Sequence, residues 1–226
     1  MDGISMYKVV ADNSDFVVID KFPGVGFHGE AGAGGLTAAL RADLGIASVY
    51  TVHRLDTMTS GLILFAKQRD IARELAAQFQ RRDVEKWYVA ISDRRPKKKQ
   101  GLIIGDMERA RRGMWKLAHT RTNPAVTRFY SRAYAENLRL FVVKPQTGKT
   151  HQIRVALKSI GAPVLGDPLY YRESAARDDV DRGYLHSYAL AFHLKGDEFR
   201  FVNMPTAGAY FVDDAFRDAF EAYLRI

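Results

Sequence analysis

Cysteine is missing from all 226 residues. Disulfides, Cys-ligated zinc and a cysteine nucleophile are therefore excluded. No uninterrupted apolar run approaches the ~20 residues that a membrane helix requires. The start, Met1-Asp2-Gly3-Ile4-Ser5-Met6, lacks the basic and apolar regions of a signal peptide. A reducing cytoplasm is the compartment this predicts. There is no His-Glu-x-x-His, and no Gly-Lys-Ser/Thr closes the Gly- and Ala-rich stretch from Gly29 to Gly35. A zincin site and a phosphate-binding loop are both absent, and the stretch reads as a mobile loop. Acidic side chains are the scarcer charge, 26 against 34 Lys and Arg, for a net +8. With a pI near 9.6, the chain invites an anionic partner, nucleic acid first.

A hydrophobic content of 47% suffices for one substantial core, so residues 1–226 are expected to form a single domain. Val9-Val10 and Phe16 to Ile19 read as strands around the polar turn Asp12 to Asp15. Leu36 to Leu44 predicts a short helix ending at Gly45, and Leu62 to Ala66 a strand buried on both faces. Ile71, Leu75 and Phe79 recur every fourth residue, which predicts a helix over Arg69 to Arg82. Trp87 to Ile91 is a strand, and Val126 to Tyr134 pairs with Leu138 to Val143. His151 to Ile160 is helical with Gly161 as its cap. A last strand pair covers Tyr184 to Leu194 and Glu198 to Val202, and a helix runs from Asp213 to Leu224. The stretch from Arg94 to Thr122 is the least regular. It opens with the basic loop Arg94-Arg95-Pro96-Lys97-Lys98-Lys99 and is expected as an insertion or flap. Hairpin-like pairs with scattered helices predict an α+β fold.

The densest chemistry lies in His53-Arg54-Leu55-Asp56-Thr57-Met58-Thr59-Ser60-Gly61, directly before the apolar strand. A polar cluster entering a buried strand presents its side chains at the edge of the core. Asp56 is a candidate nucleophile or base, and Arg54 a candidate partner for phosphate or carboxylate. The bland alternative is a turn in which Asp56 caps backbone amides and Arg54 makes a surface ion pair.

The stretch His53 to Lys67, HRLDTMTSGLILFAK, resembles the signature of the RluA family of pseudouridine synthases, whose essential Asp falls on Asp56. Lys86-Trp87-Tyr88-Val89-Ala90 resembles the segment that supplies an active-site Tyr, here Tyr88. Thr147 to Val155, TGKTHQIRV, resembles the segment that supplies an Arg, here Arg154, and Gly161 to Asp167 the turn after it. Leu185-His186 resembles a later segment, with Ser187 where Ala is usual. The likeness runs from about Tyr7 to Pro205. Phe22 interrupts the family's usual Lys-Pro, giving Lys21-Phe22-Pro23-Gly24, a departure that bears on local loop geometry. Many relatives carry an N-terminal S4-type RNA-binding domain. This chain begins almost at the catalytic region, so target selection is expected to rest there.

The resemblance implies a mixed, mostly antiparallel curved sheet flanked by helices and loops. It implies conversion of uridine to pseudouridine in ribosomal or transfer RNA, without cofactor or metal. Asp56, Tyr88 and Arg154 are the implied catalytic residues: Arg154 the cationic partner of Asp56, and Tyr88 a ring against the uracil. His53, Arg54, Thr59, Lys149, His151 and Leu185 are implied substrate contacts, with Arg54 and Lys149 on the RNA backbone. Trp87, Trp115, Tyr170 and Tyr171 are candidates for base stacking or core packing. His151, His186 and His193 are not expected to hold a metal. A monomer is the default. Two rivals are weighed against this: an RNA-binding module that has lost catalysis, and a carboxylate enzyme that cleaves a glycosidic bond and releases free base.

Overall fold

The computed structural model describes residues 5–27, 35–171 and 180–225. All of the expected glycine-rich loop except Gly35 lies outside them. In chain order come strands β1 (Tyr7–Asp12) and β2 (Phe16–Lys21), helix α1 (Leu36–Leu44), strands β3 (Tyr50–Thr51) and β4 (Ser60–Ala66), and helix α2 (Arg69–Arg81). Then follow β5 (Glu85–Ser92), β6 (Gln100–Gly105), β7 (Met107–Arg109), β8 (Trp115–Leu117), β9 (Ala125–Ala135), β10 (Leu138–Pro145) and helix α3 (Gln152–Ser159). Last come β11 (Leu185–Leu194), β12 (Asp197–Val202) and helix α4 (Asp214–Leu224). The class is α+β, as the hairpin pattern predicts. The residues divide into two compact units, Met1–Glu85 with Ser187–Met204, and Lys86–His186 with Pro205–Ile226.

In the first unit, Asn13 turns β1 into β2 because its side-chain oxygen accepts from the amides of Asp15 and Phe16. β2 pairs antiparallel with β4, Phe16 opposite Ala66 and Lys21 opposite Gly61. Every residue of both strands is buried, which for Leu62 to Ala66 the unbroken apolar run predicts. The four-residue repeat of α2 buries Ile71 and Leu75 against Phe16, Val18, Leu62, Leu64, Leu190 and Phe192, with Phe79 at the margin. β12 pairs with β11, Ala189 opposite Val202. α1 ends at Gly45, whose φ of +62° is the left-handed cap expected there.

In the second unit, β10 pairs with β5 on one side and β9 on the other, and β6 adds to β9. The reading of 94–122 as irregular missed β6, which begins Gln100-Gly101 and ends in Gly105. Gly105 is required there: a Cβ would lie 2.2 Å from the carbonyl oxygen of Ala118. β7 and β8 form a hairpin, so that part of the expected flap has regular structure. Its base is closed by Asp106, whose carboxylate accepts from the amides of Thr122 and Asn123. These bonds and a hydrogen bond with the Thr120 side chain, the largest cause, hold the Asp106 pKa below the usual carboxylate value. α3 stops at Gly161, at φ +83°, where the amides of Gly161 and Ala162 reach the carbonyls of Lys158 and Leu157. Asp213 caps α4 by accepting from the Ala215 amide.

Candidate active site

Asp56 sits on a tight turn just before β4. Its carbonyl accepts from the Thr59 amide at 3.0 Å. Leu55 and Met58 on either side are buried, 5% and 9% exposed, while Arg54 and Thr57 face solvent and Asp56 is half-buried. The chain is thus pinned by two apolar anchors with the carboxylate at the rim of the core. Thr59 and Ser60 are buried. Gly61 explains how the turn enters its sheet. Its φ is +106°, and a Cβ would stand 2.4 Å from the Ser187 carbonyl oxygen, so only glycine admits that approach.

His53 is fixed from below. Its Nε2 accepts from the Leu64 amide at 3.0 Å and its ring stacks on Phe79 at 4.6 Å. The ring is therefore held in the tautomer that leaves Nε2 without a proton.

Sequence reasoning singled out Lys21 only as part of a departure from the family pattern. Its side chain is wholly buried, and its ammonium donates to the carbonyls of Phe22, Val25 and Thr57 at 2.9, 3.0 and 3.1 Å. The Gly24 amide donates to the same Thr57 oxygen at 2.9 Å. A buried cation satisfied by three carbonyls cross-links the Phe22 to Val25 loop to the residue after Asp56. The inserted Phe22 is accommodated: its amide bonds the Met6 carbonyl, and its own carbonyl is one of the three acceptors.

The remaining candidates lie in the second unit. Tyr88 is 7% exposed on β5, opposite Val143 of β10. Leu185 is buried at the head of β11. Lys149, His151 and Arg154 lie in one short segment. Gln152, which sequence reasoning passed over, organises it. Its Oε1 accepts from the Thr147 hydroxyl and the Lys149 amide, while its Nε2 donates to the Val126 carbonyl and the Thr127 hydroxyl. Lys149 reaches Asn123 through its ammonium at 2.8 Å. His151 holds a left-handed conformation, φ +55°, at the start of α3, and its Nδ1 lies 2.9 Å from the Tyr170 hydroxyl.

Arg154 is 4% exposed, so it is not a surface arginine of its helix. Its Nε and Nη2 donate to the two carboxylate oxygens of Asp167 at 2.7 and 2.8 Å, a bidentate pair. Tyr170 lies under the guanidinium at 5.0 Å from ring centroid to Cζ. Tyr170 is buried, and Tyr171 donates to Asp93. Trp87 and Trp115 are paired with Lys144 and Arg109, respectively. Among the described residues no cluster of His, Asp and Glu is arranged to hold a metal, and no helix is long and apolar enough to cross a membrane.

The profile of a family described as RNA pseudouridylate synthase matches residues 15–159. A Haemophilus influenzae protein named as an uncharacterized RNA pseudouridine synthase is 43% identical over 217 residues, 96% of this chain and 96% of its own length. The Escherichia coli dual-specificity RNA pseudouridine synthase RluA is 36% identical over 143 residues, 62% of this chain and 65% of that protein. The solved structure of human RNA pseudouridylate synthase domain containing 1 matches with a TM-score of 0.77 at 22% identity, covering 100% of this chain and 98% of its own. That last likeness concerns the fold.

Proposed function

The chain belongs to the RNA pseudouridylate synthase family, and on that premise we propose that Asp56 is the carboxylate through which it isomerises uridine in RNA. The observation that carries the assignment is the turn itself. Asp56 stands half-buried between the core anchors Leu55 and Met58, on backbone that Lys21 cross-links. A reacting group held on rigid backbone loses little entropy in reaching its geometry.

The target nucleotide first leaves its stack, at a cost of a few kcal/mol that is smaller in a loop than in a duplex. Cations on the RNA backbone offset that cost, and Arg54 and Lys149 are the side chains assigned to it. The bond from N1 of uracil to the anomeric carbon of ribose then breaks. Asp56 adds to that carbon, or removes a ribose proton to leave a glycal. The uracil turns within the site, and its carbon 5 bonds to the anomeric carbon as the Asp56 carboxylate leaves it or, on the glycal route, as Asp56 returns the ribose proton; the carbon 5 proton departs, and N1 regains one. The sum is an isomerisation with no change of oxidation state. In this reading Arg154 supplies positive charge to the reaction. Tyr88 lies against the uracil ring and assists removal of the carbon 5 proton.

The same proposal has the enzyme acting as a cytoplasmic monomer, without cofactor or metal, on ribosomal or transfer RNA. A Vibrio parahaemolyticus relative, 30% identical, is named a ribosomal large subunit pseudouridine synthase, which favours ribosomal RNA. Incubating RNA from cells lacking the enzyme with the purified protein, then analysing nucleosides and free bases, tests it. Pseudouridine without free uracil is expected. Free uracil would indicate a glycosidic-bond hydrolase, and neither product despite tight RNA binding would indicate a binding module.

A further inference from the structure

The Arg154 guanidinium is held by an apparatus that its proposed role does not by itself require. Asp167 is fully buried and its two oxygens divide the work. Oδ2 accepts from Arg154 Nε, while Oδ1 accepts from Arg154 Nη2 and from the amides of Leu169 and Tyr170 at 2.9 and 3.0 Å. The carboxylate is therefore fixed by its own turn before it meets the arginine. That turn depends on Gly166, at φ +70°, where a Cβ would fall 2.1 Å from the Arg182 carbonyl oxygen. It is also stitched to β5, since the Leu165 amide bonds the Ile91 carbonyl at 2.8 Å. Tyr170, next on the same turn, closes one face of the guanidinium with its ring. Its hydroxyl receives the Trp115 amide at 2.8 Å and meets His151 Nδ1 at 2.9 Å. The guanidinium plane is thereby fixed on its Nε–Nη2 edge and on one face.

We propose that Asp167 is the positioning residue of Arg154, fixing the plane and direction in which its guanidinium acts in the isomerisation, with the Tyr170 ring as second support. This rests on the reading of Arg154 as a residue of the reaction. A flexible arginine in an enclosed site samples many rotamers. A bidentate carboxylate preorganised by two amides leaves one, and misplacement by an ångström can cost about a hundredfold in rate. Arg154 and Asp167 then act as a unit, so their substitutions are non-additive.

The test is a double-mutant cycle with Arg154→Lys and Asp167→Asn in the full chain. Tritium release from RNA carrying tritium at carbon 5 of uridine is read at several RNA concentrations and below the thermal transition of each variant. Asp167→Asn keeps an oxygen for the Leu169 and Tyr170 amides but cannot accept both arginine bonds. Apparent kcat is expected to fall about 10- to 100-fold with KM within about twofold, and adding Asp167→Asn to Arg154→Lys should cost little more. Asp167→Glu, which keeps the charge but displaces the fork by one methylene, serves if the Asn variant fails to fold, and should also lose kcat rather than KM. Near-native kcat in both Asp167 variants, with Arg154→Lys impaired, would overturn the positioning role and leave the reading of Arg154 intact. Fully additive losses would also overturn it. Near-native activity of Arg154→Lys and Arg154→Ala together would instead remove the reading on which it rests.

Discussion

The Lys21 ammonium donates to the carbonyl of Thr57, the residue that follows Asp56, at 3.1 Å. A buried cation thus sets the backbone that presents the proposed reacting carboxylate, though Lys21 itself stands in a strand 35 residues earlier in the sequence.

Lys21→Met should therefore affect stability and activity together. It removes one ammonium and leaves the carbonyls of Phe22, Val25 and Thr57 without that donor. A loss of about 3 kcal/mol is expected from desolvated acceptors alone. Urea denaturation measures it, and kcat should fall in protein that is still folded. A stability loss with unchanged kcat would mean that Lys21 serves the core and not the turn.

Gly61→Ala tests the entry of the turn into its sheet. The added methyl meets the Ser187 backbone at 2.4 Å, in a backbone conformation that alanine disfavours. Destabilisation of about 3 kcal/mol or more is expected, measured as a fall in Tm. Gly148→Ala, where a Cβ meets nothing within 4 Å, is the matched control and should change little.

Much of this arrangement is legible in the residues themselves. The repeat of Ile71, Leu75 and Phe79 marks α2, and the apolar run into Ala66 marks β4, because both patterns report burial directly. What escaped reading is polar and non-local. Lys21 looks like a surface lysine beside a turn, since hydropathy carries no signal for a cation satisfied by carbonyls. The partner of Arg154 is Asp167, 13 residues on and beyond the end of its helix, so no helical spacing announces it. β6 hides behind Gly101 and Gly105, because glycine is depleted in strands, and Gly105 serves a close approach.

Gln152 is the second such hub, and Gln152→Ala should cost roughly 2 kcal/mol. The Thr127 and Thr147 hydroxyls and the Val126 carbonyl each lose a bond together, although the Val126 carbonyl keeps the Gln146 amide and the Thr147 hydroxyl keeps the Val126 amide. Because the Lys149 amide loses its acceptor too, RNA affinity measured by filter binding should weaken more than for Lys158→Ala, which lies outside the proposed RNA contacts.

Alkaline pH should destabilise the fold. Burial, the largest cause in each case, raises the pKa of Tyr7, Tyr184, Tyr188 and Tyr223 above the ordinary 10.0, and the Asp43 and Asp181 carboxylates add to it for Tyr7 and Tyr184. Above that value the unfolded chain releases phenolic protons that the native state retains. The contribution is therefore complete below about pH 10 and declines as pH rises further. Burial, the largest cause in each case, lowers the pKa of Lys86 and Arg139 and works in the opposite sense, two groups against four. The urea midpoint should be lower at about pH 11 than at about pH 9, with phenolate absorbance lagging until unfolding. An unchanged midpoint would contradict this.

The central claim is that Asp56 carries the isomerisation, and tritium release from RNA labelled at carbon 5 of uridine tests it most directly. Bulk ribosomal and transfer RNA from cells lacking the enzyme serve as substrates for wild type and Asp56→Ala. Release by wild type alone is predicted, with the variant retaining its fold and near-native RNA affinity, because a half-buried carboxylate on a turn contributes little to the core. Near-native release by Asp56→Ala would contradict the account.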